Sequence, residues 1–245
     1  MTQERSYKTH GIVLRARPLG EADRIVTLFS TECGKLDAVA KGVRRAKSHF
    51  AGRLEFGNEC AFTMHRGRSL DVIVSAEIIR SPWAQLVEPE RFAVASLVAE
   101  LVDAFSEPDL ALPDVYALLA GVLGAIAASD APRGLIPRFS LRLLSALGLE
   151  PPADTCVRCG KPLDPARAWV DAAAGGFICE ACRERWRDIP ELDGADLANV
   201  KGLNAPRGSS LATVAARPRI AAAIDAIIVH HLGRLPKAGL TLVEP

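Results

Sequence analysis

The chain has 245 residues, 49% of them hydrophobic and 24% charged, with 30 Lys plus Arg against 29 Asp plus Glu. That length suits two or three domains, each with its own core, and the composition is that of an ordinary globular protein. The polar opening MTQERSYKTH lacks the order of a secretory signal, and the longest uncharged run, residues 115–129, is too short to span a bilayer. The expectation is therefore a cytoplasmic protein whose six cysteines are reduced or metal-bound.

Charge is unevenly spread. Residues 1–80 carry 14 Lys plus Arg against 9 acids, whereas residues 81–245 carry 16 against 20. A basic first part in a neutral chain suggests one module that meets an anion and another with a different task.

From residue 10 to residue 79 the chain alternates short apolar runs with turn residues. HGIVLRAR, RIVTLFS, KLDAVAKG, CAFTMH and LDVIVSAEII make five candidate strands, with Gly20, Gly34, Gly57 and Gly67 near the breaks. Five short strands suit a small closed barrel of the oligonucleotide-binding (OB) type, with an SH3-like barrel or an open sheet as alternatives.

Between the third and fourth strands lies KGVRRAKSHFAGR, which places Lys41, Arg44, Arg45, Lys47 and Arg53 within thirteen positions without one acid. An isolated run of this kind is ordinarily a solvated loop. Phosphate binding, however, needs cations with no acidic neighbour to neutralise and a backbone that can come close, here through Gly42 and Gly52. Arg15, Arg17, Arg24, Lys35, Arg66 and Arg68 fall near the ends of the same strands. Charge and expected fold thus point the same way. His49 and Phe50 either stack on bases or anchor the loop to the core; the pattern leaves both open.

After Pro82 the period becomes helical. Residues 89–106 are amphipathic, residues 112–129 are apolar nearly all round, and residues 136–147 carry Arg138 and Arg142 at i and i+4 before Gly148. A further helix is expected over residues 217–235, ended by Gly233 and Pro236 and packed back on the earlier three. The expected organisation is multidomain α+β: an OB barrel over residues 1–80, a helical domain over 81–154 and 188–245, and a small insert over 155–187.

The insert holds Cys156-Val-Arg-Cys159 and Cys179-Glu-Ala-Cys182, two C-x-x-C knuckles separated by nineteen residues. Each knuckle turns two thiolates toward one point, and a short hairpin between them brings the four to the corners of a zinc site. Two disulfides are disfavoured by compartment, and a thioredoxin-like pair by the lack of βαβ context. Four thiolates leave no open position for an activated water, so one Zn2+ here is structural. Cys33 and Cys60 lie outside this pattern and are expected as small core residues.

The positions that carry a resemblance to a known family are Gly20, Glu21 and Asp23, then Thr27, Leu28 and Phe29, then Gly34 and Lys35, then Lys41, Gly42, Arg44, Arg45, Lys47, Ser48 and Leu54. Together with the helical part and the cysteine insert, this segment resembles the RecO family of bacterial recombination mediators. The resemblance implies an OB barrel, a helical domain, a four-cysteine zinc insert found in many members, and no catalytic site. It implies binding to single- and double-stranded DNA, annealing of complementary strands, and joint action with RecR to load RecA onto DNA coated by single-strand-binding protein. It also implies that the acidic tail of that coating protein docks on the helical domain, where Arg133, Arg138 and Arg142, beside Phe139 and Leu143, are candidate receivers.

Two rival classes remain at this point. A zinc-dependent nucleic-acid enzyme would need an open metal site or an H-x-E triplet, and none of the five histidines begins one. A zinc-bearing transcription regulator would need a recognition helix that reads duplex bases.

Overall fold

The computed structural model describes residues 6–183, 189–203, 214, 216–234 and 236–240. The chain divides into two compact units, Met1–Ala128 and Ser129–Pro245. Arg185 and Arg187, near the end of the cysteine insert, lie outside the described residues.

The first unit begins with five strands: β1 (Ser6–Leu19), β2 (Asp23–Ser30), β3 (Gly34–Ala40), β4 (Glu59–His65) and β5 (Asp71–Arg80). They close into a barrel in the order β1-β2-β3-β5-β4, antiparallel throughout except for the short parallel pair β3–β5. This is the OB-type barrel expected from the strand pattern. β3 and β4 alternate buried and half-buried positions strictly, as a two-residue period requires of strands with one face inward. Val26, Leu28, Ala38, Cys60, Phe62 and Met64 fill the interior, and Cys33 packs against it. β1 is long enough to serve two neighbours: residues 6–12 pair with β4 and residues 11–19 with β2, the latter with a register shift between Val13 and Arg15.

Three helices complete this unit: α1 (Trp83–Leu86), α2 (Pro89–Phe105) and α3 (Pro113–Ala128). α2 starts where Pro89 presets the first turn and the Glu88 carboxylate accepts the N–H groups of Glu90 and Arg91 at 3.2 and 2.9 Å. α2 packs on α3 and reaches β1. Gly34, at φ 66°, opens β3 against the segment joining these helices: a Cβ there would stand 1.9 Å from the Leu110 carbonyl oxygen. Only glycine permits that approach.

In the second unit a 3-10 turn (Pro132–Gly134) leads into α4 (Leu135–Ala146), which ends at Gly148 with φ 73°. A three-stranded sheet in the order β7-β6-β8 follows, with β6 (Arg167–Asp171), β7 (Gly176–Ile178) and β8 (Glu191–Asp193). β6 and β7 are the hairpin expected between the knuckles, and α5 (Glu180–Arg183) carries the second knuckle. α6 (Gly194–Leu203) was not foreseen from the sequence. Its start is a reciprocal cap, in which Asp193 Oδ1 accepts the Asp196 N–H at 2.8 Å and Asp196 Oδ2 accepts the Asp193 N–H at 3.2 Å. α7 (Pro218–Leu232) packs on α4, α6 and the small sheet, and Gly233 at φ 66° closes it. α8 (Lys237–Leu240) is a single turn. Among the described residues, no helix is long and apolar enough to cross a membrane.

Candidate nucleic-acid interface and metal centre

The basic run forms the first part of the β3–β4 connection, residues 41–58, a chain of tight turns with backbone bonds Arg45 N to Gly42 O, Ser48 N to Arg45 O, Ala51 N to Ser48 O and Arg53 N to Phe50 O. Two side chains hold these turns down. Phe50 and Leu54 are each 2% exposed and belong to the barrel core. Burying a phenylalanine and a leucine stabilises the connection by a few kcal/mol, about 1.5–3 for each side chain. Phe50 is therefore the loop's anchor, and His49, exposed, lies over it with ring centroids 3.9 Å apart. At the far end Asn58, fully buried, donates to the carbonyls of Gly52 at 2.9 Å and Arg53 at 3.2 Å.

With the backbone so held, the cations face outward. Lys41, Arg44, Arg45 and Lys47 are exposed, and Arg53 is half-buried. Lys41, Arg45 and Lys47 have no side-chain partner among the described residues. Arg44 and Arg53 donate only to backbone carbonyls, those of Gly20 and His49. Among the described residues, no carboxylate forms an ion pair with any of the five.

The other cations singled out in the sequence are placed differently. Arg15 Nε stands 2.9 Å from Asp103 Oδ2, and Lys35 Nζ donates to the Asp103 carbonyl at 2.6 Å with Oδ1 3.5 Å away. Arg17 pairs with Asp37 at 3.6 Å and Arg24 with Glu55 at 3.9 Å. Asp103, on α2, is the residue that sequence reasoning missed: it lies 88 positions from Arg15, and no local pattern couples them. Arg66 and Arg68 lie in the β4–β5 connection, which the parallel pairing of Ala38 with Asp71 seats beside the outgoing half of β3. Arg66 lies over the Tyr7 ring at 4.8 Å, and the Tyr7 hydroxyl donates to Asp71 at 2.5 Å. Burial, together with that bond to the carboxylate, pushes the Tyr7 phenol well above its ordinary range.

In the second unit Arg133 sits in the 3-10 turn and Arg138 and Arg142 one turn apart on α4. Burial, with the neighbouring Arg142 charge, lowers the Arg138 pKa, so two like charges lie close on this face. Phe139 and Leu143, expected as an apolar pocket beside the arginines, are instead core residues, 2% and 1% exposed.

The four knuckle cysteines come together as their spacing predicts. Their sulfur atoms all lie within 4.8 Å of one another, with Cys159 Sγ and Cys179 Sγ 3.8 Å apart, and none is in a disulfide. Cys156 is buried; burial raises its pKa, but backbone N–H groups of the knuckles aimed at its sulfur outweigh that and lower it to about 6. Burial, and the other three thiols, push Cys182 up to about 12. The Cys156 thiolate thus forms readily while Cys182 resists ionising beside it, a conflict that a divalent cation at the centre removes. The donor set fits a metal ion. Arg158, inside the first knuckle, donates to Asp171 of β6 at 2.7 Å, and Trp169, 2% exposed, packs beside the sulfurs under the guanidinium groups of Arg167 and Arg183.

The N-terminal family model "Recombination protein O N terminal" matches residues 1–82, and "Recombination protein O C terminal" matches residues 87–240. The chain belongs to the RecO family. Among curated RecO relatives, "DNA repair protein RecO" of Bifidobacterium longum (strain DJO10A) is 40% identical over 178 residues, covering 71% of this chain and 73% of that one. The protein of the same name from Frankia casuarinae is 36% identical over 184 residues, covering 72% and 73%. The RecO_N match contains the barrel and its basic connection, and the RecO_C match contains the cysteine cluster. This RecO-family chain is thus placed with DNA repair proteins.

Proposed function

We propose that this RecO-family protein is a non-enzymatic DNA-binding mediator of recombinational repair in the cytoplasm. It binds single- and double-stranded DNA, anneals complementary strands, and acts with RecR to load RecA onto DNA coated by single-strand-binding protein. The observation that carries this reading is the β3–β4 connection, where five cations with no carboxylate partner among the described residues are presented on a backbone anchored in the barrel core. Annealing is limited by repulsion between two phosphate backbones. A fixed cationic loop screens that repulsion, so complementary bases meet without any bond being made or broken.

Lys41, Arg44, Arg45, Lys47 and Arg53 are the proposed phosphate contacts. Arg15, Arg17, Arg24 and Lys35 form a second rank that must first leave a carboxylate; for exposed pairs such as Arg17–Asp37 this costs at most about 1 kcal/mol. Arg133, Arg138 and Arg142 are the proposed receivers of the acidic tail of single-strand-binding protein, because cations grouped on α4 and the turn before it suit an acidic peptide. The metal is proposed to be one structural zinc held by Cys156, Cys159, Cys179 and Cys182. A tetrahedron with Zn–S of about 2.3 Å has edges of about 3.8 Å, the separation of Cys159 and Cys179 sulfurs.

The test is annealing of complementary oligonucleotides coated with single-strand-binding protein, across a salt series. Wild type should accelerate annealing, and the double charge reversal R44E/R45E should abolish the acceleration while zinc content stays the same. Equal annealing by both proteins would count against the proposed site.

A further inference from the structure

The β1–β2 turn touches the basic connection at its root. Asp23 Oδ1 accepts the Gly42 N–H at 2.7 Å, the Ala22 carbonyl accepts the Arg44 N–H at 2.9 Å, and the Gly20 carbonyl accepts the Arg44 guanidinium at 3.3 Å. The next residue, Arg24, reaches Glu55 near the other end of the connection at 3.9 Å. The start of β2 therefore grips the cationic segment at entry and exit. Phe50 and Leu54 anchor only its middle.

Asp23 is an odd neighbour for a phosphate-binding loop. It is half-buried, it forms no ion pair among the described residues, and a negative charge at the root of the connection opposes the approach of a phosphate. Its carboxylate oxygen is spent on one backbone N–H, that of a glycine at φ 66°. Gly42 can adopt that conformation but does not prefer it over the alternatives, so an acceptor is needed to select it.

We infer that Asp23 is a positioning residue: through the Gly42 N–H it fixes the left-handed turn from which Lys41, Arg44 and Arg45 project as one set. This rests on the proposed reading of the connection as the phosphate-binding site. The distinguishing consequence is that the oxygen matters and the charge opposes. An effect of charge alone would make every substitution that removes the carboxylate tighten DNA binding. A positioning effect separates alanine, which loses the acceptor, from asparagine, which keeps it, although both remove the same charge.

The experiment measures binding of a dT oligonucleotide by wild type, D23A, D23N, D23E and R44E/R45E over a salt series, with thermal melting to confirm folding. D23A should bind about fivefold more weakly, the effect of one ordered hydrogen bond, with a shallower salt slope because fewer cations engage together. D23N should recover the affinity and slope that D23A loses. D23E keeps the charge but displaces the oxygen by one methylene, so it should fall below wild type, and it carries the test if D23A does not fold. D23A binding as tightly as D23N, or D23E binding as wild type, overturns the inference. R44E/R45E binding as wild type overturns the underlying reading instead.

Discussion

His49 lies over Phe50 with ring centroids 3.9 Å apart and planes tilted by 41°, yet only His49 is exposed. The two adjacent rings thus have different tasks. Phe50 cannot reach a base without leaving the barrel core. F50A should lower the stability of the first unit by about 3–5 kcal/mol, read as a shifted urea midpoint, and should weaken DNA binding as a consequence. F50L should recover most of both. Substitution H49A should leave the unfolding free energy from the same urea titration within about 0.5 kcal/mol of wild type.

The two ranks of cations differ in their salt dependence. With five phosphate contacts on single-stranded DNA, the log-log slope of affinity against salt should be about −3.5. R45A and K47A should each reduce it by about 0.7, because neither side chain has another partner among the described residues. R17A should change it by less than half as much, since Arg17 already faces Asp37. Filter binding from 50 to 300 mM salt reads the difference.

Removal of the metal should act on one unit. The protein as purified should hold about one zinc per chain by mass spectrometry. C159S/C179S should hold less than about a tenth of that. Chelation should lower the melting transition of the second unit and leave the barrel's transition in place, because Trp169 and Ile178 pack directly on the cysteines. Two transitions falling together would contradict this.

Gly34 offers a test of the barrel alone. G34A meets the Leu110 carbonyl and requires φ 66° of an alanine, so it should destabilise the first unit by at least about 2 kcal/mol. G20A, at a turn with open space around it, pays only for its φ of 57° and should cost about 1 kcal/mol. Thermal melting of the two variants compares them directly.

Acid should weaken the barrel through Glu32. Burial raises its pKa, but hydrogen bonds from the Thr9 hydroxyl and the His10 N–H outweigh that, so the folded value lies below the unfolded one. Its contribution is present above the unfolded pKa and is lost as pH falls through the folded value, a decline that starts below about pH 5. E32Q should flatten this acid limb in a pH series of urea midpoints. An acid limb as steep as that of wild type would exclude Glu32 as its source.

Much of the site was legible in the sequence. The cysteine spacing required only that two short turns and a hairpin meet, and the hairpin between β6 and β7 is local. The acid-free composition of residues 41–53 is a property of the chain itself, and Gly20, Gly34, Gly57 and Gly233 marked breaks that do take positive φ, whereas Gly67 does not. Asp103, Asp23 and α6 were not legible. Asp103 meets Arg15 and Lys35 only because α2 reaches β1, and Asp23 meets Gly42 only because β2 pairs with β3 along their length.

By itself the sequence determined the period of the barrel strands and of most helices, the positions of most turns, the four cysteines that cluster and the excess of positive charge. Each of these depends on residues close along the chain, where steric and spacing rules act without reference to the fold. Tertiary structure alone decided which cations are neutralised, which aromatic ring is buried, and which turn holds the basic connection in shape. Those outcomes depend on carboxylates and carbonyls nineteen to eighty-eight positions away. A charge or a ring becomes available to a ligand only after the fold has chosen its neighbours.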